Sequence, residues 1–233
     1  MTAIMPWIIC TLAYLLGSIS FAWWVARAKG INLREHGSGN LGATNVGRVL
    51  GGRYFALVFF ADFAKGFIPV LLMQQWLSWS LGPETNSASS WWQVGAGAAA
   101  VIGHIFPCWH RFKGGKAVAT SLGVIIGISP VVAAVAFGTW VLAWAVGRLG
   151  SLKSSAAVGP ASIVAAISAI VAQWYWYAIT PPYAANTTLV TLAGALILIR
   201  HRSNLRNLFT RRQYHTPSDT DSAKPEQKPS QST

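Results

Sequence analysis

The first polar segment that could do chemistry is GSGNLGATNVGR at residues 37–48, which combines four Gly, two Asn, one Ser, one Thr and one Arg. Glycine permits positive φ angles, so that successive backbone N–H groups can converge on one anion. Hydroxyl and amide side chains add donors, and a guanidinium can bind phosphate through two hydrogen bonds. This density of donors favours a phosphate site over a flexible linker. The predicted site residues are Ser38, Gly39, Asn40, Gly42, Thr44, Asn45 and Arg48.

A second segment, KGGK at residues 113–116, opens an apolar stretch that is predicted to be a helix. The N-terminus of a helix carries unpaired N–H groups and a partial positive charge, and two ammonium groups beside it complete an anion site. The GxxxxGK[ST] spacing of a P-loop is absent and no strand precedes the segment, so nucleotide hydrolysis is not expected. A basic cluster with a turn is the alternative interpretation. The predicted site residues are Lys113, Gly114, Gly115, Lys116, Thr120 and Ser121.

The third segment, IRHRSNLR at residues 199–206, begins where the last apolar stretch ends. On a continuing helix, His201 and Asn204 are three residues apart and share a face. The arginines around them fit a basic cap at a membrane interface, which is the alternative interpretation. A His and an Asn on one face are less expected in such a cap, so both are predicted site residues.

Two polar features lie within apolar stretches. Asp62 and Lys65 are three residues apart in one of them, and His104 precedes the KGGK segment by about nine residues. A charged group in lipid is costly and usually faces the protein interior with a partner. A structural ion pair and a structural histidine are therefore one interpretation, and substrate binding by Lys65 and His104 is the other.

The composition places these residues in a membrane. Of the 233 residues, 53% are hydrophobic and 10% are charged, whereas soluble domains carry about 25% charged residues. The chain therefore belongs in a bilayer rather than among soluble globular proteins. It has only six acidic residues, so that neither a carboxylate dyad nor an all-oxygen metal site is expected. Cys10 and Cys108 lack zinc spacing, and no metal or cofactor is predicted.

Apolar stretches of about 20 residues are long enough to cross a bilayer as helices. They predict an all-α polytopic membrane protein with about seven transmembrane helices, or five if one hairpin is only re-entrant. Ser129-Pro130 divides that hairpin into two short helices. The predicted spans are 7–26, 54–79, 91–109, the hairpin 117–146, 155–178 and 187–199.

The distribution of charge predicts the orientation of these spans. With the N-terminus outside, every Lys and Arg except Lys65 falls in an inner loop or in a cytoplasmic C-terminal tail, as the positive-inside rule requires. The net charge of +12 then follows from topology, and no nucleic-acid partner is needed to explain it. Residues 1–212 are predicted to form one transmembrane catalytic domain. Residues 213–233 are a polar tail that is expected to be disordered.

Five motifs follow one another along the chain: GSGNLGATN at 37–45, DFAKG at 62–66, GHIFP at 103–107, FKGGKAVAT at 112–120 and HRSN at 201–204. Together they resemble the acyl-phosphate glycerol-3-phosphate acyltransferases, the PlsY family. The resemblance implies transfer of a fatty acyl group from acyl phosphate to the sn-1 hydroxyl of glycerol 3-phosphate, which yields lysophosphatidic acid and phosphate. It also implies seven spans in the cell inner membrane, an active site on the cytoplasmic face, and coupling to an enzyme that produces acyl phosphate.

The hypothesis for the mechanism is that the protein supplies positioning and charge neutralisation, because an acyl phosphate is already activated. The Lys113–Lys116 turn and Arg48 would neutralise phosphates. The residues that would orient these phosphates are Ser38, Asn40, Thr44 and Asn45. His201 and Asn204 would orient the acceptor hydroxyl or the carbonyl. By resemblance, the KGGK segment is associated with glycerol 3-phosphate. The hydroxyl proton would pass to a phosphate oxygen of the substrate, or else to His201. An acylated Ser38 is a less favoured alternative, because no adjacent base is evident.

The sequence departs from the family pattern at two places. Ala117 stands where the family usually has a glycine after the KGGK segment, and a helical conformation is expected for it because Ala is favoured over Gly in helices. The Gly-x-Glu that usually follows the last motif is absent, since residues 209–213 contain no acidic residue.

The main alternative function is a membrane transporter of an organic phosphate anion, since basic segments on one face would suit it. A path across the membrane should show polar residues in several spans and at the outer mouth. The predicted outer loops carry no basic residue, which favours the enzyme.

Overall fold

Helices form all the regular secondary structure in the computed structural model, which describes residues 4–82, 87–150, 154–179 and 184–202. Within these residues the prediction of an all-α protein is confirmed. The predicted tail and Asn204 lie outside the described residues. A 3-10 turn spans Cys108–His110, and the α-helices in chain order are α1 Met5–Ser18, α2 Phe21–Ala28, α3 Ala43–Leu50, α4 Gly52–Leu81, α5 Ser87–Ile105, α6 Val118–Ile128, α7 Pro130–Leu149, α8 Ser154–Ile179 and α9 Ala184–Arg200.

Four helical stretches of the described chain are long and apolar enough to cross a membrane: Met5–Ala28, which comprises α1 and α2, Gly52–Leu81, Pro130–Leu149 and Ala156–Ile179. The helices α6 and α9 are apolar but shorter. Large apolar side chains are exposed along these helices, an arrangement that is stable when the surrounding medium is lipid. The chain is therefore a multi-pass helical membrane protein.

The first predicted span, 7–26, differs from the structure because it is interrupted between α1 and α2. Ile19 has an extended backbone, with φ of −69° and ψ of 119°. The side chain of Ser20 accepts a hydrogen bond from the backbone N–H of Trp23 at 3.3 Å, which caps the start of α2. The break leaves the carbonyl oxygen of Ile19 to accept a hydrogen bond from Lys65 of α4.

The short helix α3 lies in the segment whose composition predicted a loop. Gly42 precedes it with an extended backbone, and Gly51, at φ of 97°, separates it from α4. Val46 is completely buried and anchors α3 to the protein. The four glycines concealed this helix, because glycine disfavours helices in general. As a result Thr44 lies in the first turn of a helix and Arg48 in its last turn.

The predicted division of the hairpin at Ser129-Pro130 is confirmed. Pro130 is the first residue of α7, a position that suits its fixed φ, and the preceding Ser129 has a non-helical backbone. α7 then packs mainly against α8, whereas α6 packs mainly against α4.

The contact between α4 and α6 is very close, and glycines make it so. A Cβ on Gly66 of α4 would collide with the backbone carbonyl of Thr120, and a Cβ on Gly123 of α6 would collide with that of Phe63. Small residues allow helix backbones in membranes to approach in this way. This contact fixes the start of α6, and with it the residues that follow the KGGK segment.

Candidate active site

The side chain of Asn45 organises the first segment. It is 1% exposed, and its Oδ1 accepts hydrogen bonds from the backbone N–H of Ser38 at 2.8 Å and from Nη1 of Arg48 at 3.3 Å. Its Nδ2 donates to the carbonyl oxygens of Leu33 at 3.3 Å and His36 at 3.0 Å. Asn45 therefore uses its amide to fold the segment, and it places Ser38 and Arg48 side by side.

Two glycines of this segment are required by its shape. Gly37 and Gly39 have φ angles of 62° and 68°, which are left-handed values that glycine adopts readily. A Cβ on Gly37 would collide with Oδ1 of Asn45, and a Cβ on Gly39 would lie 2.9 Å from the carbonyl oxygen of Arg34. The glycine pattern thus reflects a tightly folded segment rather than a flexible one.

The predicted residues Asn40, Gly42 and Thr44 lie at the start of α3, where all three are half-buried. A Cβ on Gly42 would lie 3.0 Å from Nδ2 of Asn40, so that the glycine keeps this amide in place. An α-helix presents unpaired N–H groups and a partial positive charge at its N-terminus. The start of α3 therefore has the geometry that the predicted anion site requires.

The KGGK segment folds back on the end of α5. The backbone N–H groups of Gly114 and Gly115 donate to the carbonyl oxygens of Ile105 and His104, each at 3.1 Å. A Cβ on Gly114 would collide with the carbonyl oxygen of His104, and one on Gly115 would collide with its ring. Neither glycine tolerates a side chain, which explains the pair of glycines between two lysines.

Arg200, at the end of α9, holds the KGGK segment from the other side. Its Nη2 donates to the carbonyl oxygens of Gly114 at 3.2 Å and Gly115 at 3.0 Å. Sequence reasoning assigned this arginine only to a basic cap, and nothing in its spacing indicated a contact 85 residues back along the chain.

Two contacts join the first segment to the KGGK segment. Nη2 of Arg34 donates to the carbonyl oxygen of Lys113 at 2.7 Å. A Cβ on Gly115 would lie 2.9 Å from the carbonyl oxygen of Leu41, which places the two backbones in contact just before α3. Since α6 begins directly after the KGGK segment, the N-termini of α3 and α6 lie near each other. Arg34 was missed by sequence reasoning, because it precedes the motif and resembles an ordinary positive-inside residue.

The pKa of Lys116 responds to cations from the other two segments. Burial, followed by the positive charges of Arg200 and Arg48, lowers the pKa of its ammonium group to about 8. A cluster of like charges raises the free energy of the empty site and is relieved when an anion binds. Arg48 therefore lies near enough to Lys116 for its charge to affect the ammonium group, and the anion site predicted for both residues remains a prediction.

His201 lies next to this cluster. It is 2% exposed, and its Nδ1 donates to the carbonyl oxygen of Ile197 at 2.8 Å in the tautomer that satisfies both groups. Its pKa is lowered to about 4, mainly by burial and then by the charge of Lys116. The ring is therefore neutral at pH 7, and its Nε2 carries a lone pair that accepts a hydrogen bond. Asn204, its predicted companion, lies outside the described residues.

The other predicted site residues lie beneath the KGGK segment rather than at its surface. Lys65 is 2% exposed; its Nζ lies 2.9 Å from Oδ1 of Asp62 and donates to the carbonyl oxygen of Ile19 at 2.8 Å. Thr120 is completely buried, with its Oγ1 3.0 Å from Nδ1 of His104. Ser121, in the next position of α6, is also buried. These contacts describe the structural alternative that the sequence left open for Lys65 and His104.

The expectation that Ala117 is helical is wrong. Ala117 is the N-cap of α6 and has left-handed angles, φ of 58° and ψ of 19°. The chain must reverse there to leave the KGGK segment and begin α6, and its carbonyl oxygen accepts a hydrogen bond from Ser121 N–H. The family that the sequence resembles usually has a glycine at this position, and that glycine was the signal for a left-handed backbone.

An apolar groove of about 960 Å³ borders the site. It contains Ile19, the residue that Lys65 binds, and it reaches the 3-10 turn that precedes the KGGK segment. Its size and lining suit an acyl chain. Residues of α1, the α1–α2 break, α2, α4 and the 3-10 turn line it: Ile9, Leu12, Ala13, Leu15, Leu16, Ile19, Trp23, Trp24, Ile68, Pro69, Leu72, Trp109 and His110.

Comparison with known proteins gives consistent similarities. A family-wide sequence model described as glycerol-3-phosphate acyltransferase matches residues 7–211. The chain is 43% identical over 203 residues to the glycerol-3-phosphate acyltransferase of Aquifex aeolicus, covering 87% of this chain and 94% of that protein. It is 39% identical over 212 residues to that of Pseudomonas syringae pv. tomato, covering 91% and 98%.

Two crystal structures of PlsY, an integral membrane glycerol 3-phosphate acyltransferase, are similar to the fold. The glycerol 3-phosphate form has a TM-score of 0.74 at 38% identity, and the match covers 94% of this chain and 100% of the PlsY chain. The lysophosphatidic acid form has a TM-score of 0.72 at 40% identity and covers 90% of this chain and 94% of that one.

Proposed function

We propose a donor, a set of site residues and an orientation for this chain, which belongs to the glycerol-3-phosphate acyltransferase family and is a membrane-embedded acyltransferase of phospholipid synthesis. The donor is an acyl phosphate. The acyl group passes to the sn-1 hydroxyl of glycerol 3-phosphate, and the products are lysophosphatidic acid and inorganic phosphate. The crystal forms of PlsY with glycerol 3-phosphate and lysophosphatidic acid support this acceptor and this product.

The observation that carries the proposal is the meeting of three cations and two helix N-termini. The charges of Arg200 and Arg48 both lower the pKa of Lys116, and α3 and α6 both begin beside the KGGK segment. Such a site neutralises phosphate charge without a metal ion. Both proposed substrates carry a phosphate, and both can be held here with their reacting atoms adjacent.

Positioning and charge neutralisation then account for the chemistry. The sn-1 hydroxyl oxygen attacks the acyl carbonyl carbon, the bond from that carbon to the phosphate oxygen breaks, and the hydroxyl proton ends on phosphate. His201 accepts a hydrogen bond from the hydroxyl through Nε2, and with a pKa of about 4 it is too weak a base to keep the proton. Ser38 lies exposed beside Arg48 and orients a phosphate rather than carrying the acyl group.

The apolar groove holds the acyl chain of the donor. It is lined by α1 and α4 and ends at Trp109 and His110, close to Lys113 in sequence. An amphiphile with its chain in this groove would have its phosphate near the KGGK segment.

The proposed topology has seven spans, an outside N-terminus and the site at the cytoplasmic face of the inner membrane. It rests on the positive-inside distribution of Lys and Arg. A cytoplasmic site would receive acyl phosphate from the enzyme that produces it. Cysteine labelling from either side of intact vesicles at Asn32 and Ala184, two exposed residues that lie on opposite sides of the membrane in the proposal, tests this arrangement.

Purified protein supplied with palmitoyl phosphate or palmitoyl-CoA, with and without glycerol 3-phosphate, tests the donor. We expect phosphate release from palmitoyl phosphate that depends on glycerol 3-phosphate, and no product from palmitoyl-CoA. Transfer from palmitoyl-CoA alone would overturn the proposed donor. Single-turnover reactions without acceptor, analysed for an acyl group on Ser38, test the direct transfer, since an acylated Ser38 would contradict it.

The site residues are tested by Arg48→Ala and Lys116→Ala, with Arg202→Gln as the matched control. Arg202 is an exposed cation next to the site region, and its replacement should leave turnover within about twofold of the wild type. Each of the other two variants should lose turnover while the protein remains inserted and folded. Retained turnover in both would refute the proposed site.

A further inference from the structure

The buried polar residues beneath the KGGK segment form one connected network. It links His104 of α5 to Thr120 of α6, and it approaches the ion pair of Asp62 and Lys65 in α4. We propose that His104 is a positioning residue that sets the backbone of Gly115, and that Thr120 fixes its ring for that purpose. This inference rests on the proposed binding of glycerol 3-phosphate by the KGGK segment.

His104 contacts Gly115 in two ways. Its backbone carbonyl accepts the hydrogen bond from Gly115 N–H at 3.1 Å. Its ring occupies the space in which a side chain of residue 115 would lie, since a Cβ there would collide with Nε2. The imidazole therefore supports the backbone of Gly115 from the buried side. Gly115 also contacts Leu41 of the first segment and Arg200 of α9. A change in its position relative to the His104 ring therefore affects all three segments.

The ring of His104 is itself held on its other edge. Nδ1 lies 3.0 Å from Oγ1 of Thr120, and Thr120 is completely buried. Thr120 cannot shift, because its carbonyl oxygen abuts Gly66 of α4 so closely that no side chain would fit at Gly66. The position of Gly115 therefore depends on the packing of α6 against α4, through one hydrogen bond.

The ion pair extends this support to the acyl groove. Oδ1 of Asp62 lies 3.8 Å from Nδ1 of His104, and Lys65 lies 2.9 Å from the same oxygen. Lys65 also donates to the carbonyl oxygen of Ile19, which lines the groove at the break between α1 and α2. Lys65 therefore connects the groove to the buried network beneath the KGGK segment. Its ammonium group makes these two contacts rather than a contact with substrate.

If the His104 ring and the backbone of Gly115 shift by a fraction of an ångström, binding of the ligand at the KGGK segment weakens. The reason is that anion recognition by backbone groups depends on their alignment. The effect should fall on glycerol 3-phosphate, the ligand assigned to the KGGK segment. The phosphate of the donor also lies near the KGGK segment in the proposal, but the groove holds its acyl chain, so the KM for acyl phosphate should rise less than the KM for glycerol 3-phosphate. This split between the two KM values distinguishes positioning from a general loss of stability.

Steady-state kinetics of Thr120→Val, His104→Leu, His104→Asn and the Thr120→Val/His104→Leu double variant test the proposal. Valine has the shape of threonine without the hydroxyl, and asparagine keeps a polar atom near the position of Nδ1. We expect Thr120→Val and His104→Leu each to raise the KM for glycerol 3-phosphate about tenfold, as loss of one buried hydrogen bond would. The double variant should be no worse than the poorer single variant, because both remove the same contact. His104→Asn should recover only part of the loss, because it keeps the contact with Thr120 but not the ring beneath Gly115.

The matched control is Thr139→Val. It removes a threonine hydroxyl whose Oγ1 lies 2.7 Å from Oγ of Ser168, between α7 and α8 and away from the site. It should leave both KM values within about twofold of the wild type, and thermal unfolding of every variant separates stability from binding. Unchanged KM for glycerol 3-phosphate in His104→Leu, or independent and additive effects of the two single changes, would overturn the proposal.

The Lys116→Ala variant, measured alongside, separates this inference from the proposed function. If Lys116→Ala loses glycerol 3-phosphate binding and the His104 and Thr120 variants do not, then the positioning role is wrong and the site stands. If Lys116→Ala binds glycerol 3-phosphate normally, then the ligand assigned to the KGGK segment is wrong.

Discussion

Oδ1 of Asn45 accepts a hydrogen bond from the backbone N–H of Ser38, seven residues earlier, at 2.8 Å. The same oxygen accepts from Arg48, so that one buried atom fixes the hydroxyl-bearing residue and the guanidinium relative to each other. Replacing the Asn45 amide therefore affects the positions of Ser38 and Arg48, two proposed substrate contacts, without a mutation at either residue.

The first prediction concerns this amide. Asn45→Ala should lower kcat/KM at least about tenfold, because it leaves the backbone N–H of Ser38 and the carbonyl oxygens of Leu33 and His36 without their hydrogen bonds to this buried side chain. Asn45→Asp should not restore activity, since it keeps the acceptor but loses both donors and adds a negative charge to a phosphate site. Asn32→Ala, an exposed change in the same region, is the control. Activity of Asn45→Ala equal to that of the control would contradict the role of the amide.

The all-helical, multi-pass architecture was predictable from sequence, since the length of an apolar stretch is a local property of the chain. The division at Ser129-Pro130 has a local cause of the same kind. The residue types of Ser38, Arg48 and Lys116 predict phosphate binding, because phosphate chemistry requires such donors, and this stays a prediction. The composition of each segment thus predicts a ligand, although not which other segment it meets.

Features that depend on contacts between distant segments could not be predicted in this way. The hydrogen bonds of Arg34 to Lys113 and of Arg200 to Gly115 join residues 79 and 85 positions apart, and either arginine alone looks like a positive-inside residue. The position of Thr120 beneath His104 depends on the approach of α6 to α4 at Gly66. Sequence reasoning placed Thr120 at the substrate because it lies near the KGGK segment in the chain, whereas helix packing turns it inward.

The second prediction concerns pH. The pKa of Lys116 is lowered to about 8, so that in the unoccupied protein its charge is present below pH 8 and is lost above it. Loss of this charge weakens phosphate binding, and kcat/KM for glycerol 3-phosphate should fall as the pH rises through about 8. A bound phosphate favours the ammonium form, so the corresponding fall in kcat should occur at a higher pH.

Lys116→Arg is the companion variant, because a guanidinium stays protonated throughout this range. Its residual activity should be nearly independent of pH between pH 7 and pH 9.5. An alkaline fall near pH 8 that persists in Lys116→Arg would assign that titration to another group.

The third prediction concerns Ala117. A left-handed conformation costs an L-residue about 1–2 kcal/mol, and a β-branched side chain is excluded from it more strongly. Ala117→Val should therefore lower the free energy of unfolding by about 2 kcal/mol or more. Ala117→Gly relieves the strain but removes a buried methyl group worth about 0.8 kcal/mol, so the net change should stay within about 1 kcal/mol. Unfolding in detergent measures both, and equal stability of the Val and wild-type proteins would contradict the left-handed assignment.

The fourth prediction concerns the ion pair of Asp62 and Lys65 inside the membrane. Lys65→Met leaves a carboxylate without its partner, and Asp62→Leu leaves an ammonium, so each should destabilise the protein by about 3–5 kcal/mol. The double variant leaves neither charge unpaired and should be more stable than either single variant, although Ile19 still loses its donor. Yield of folded protein and the unfolding midpoint measure this order, with Lys29→Met as a control at an exposed cation. If Lys65 instead bound substrate, Lys65→Met would lose activity at unchanged stability and the double variant would gain nothing.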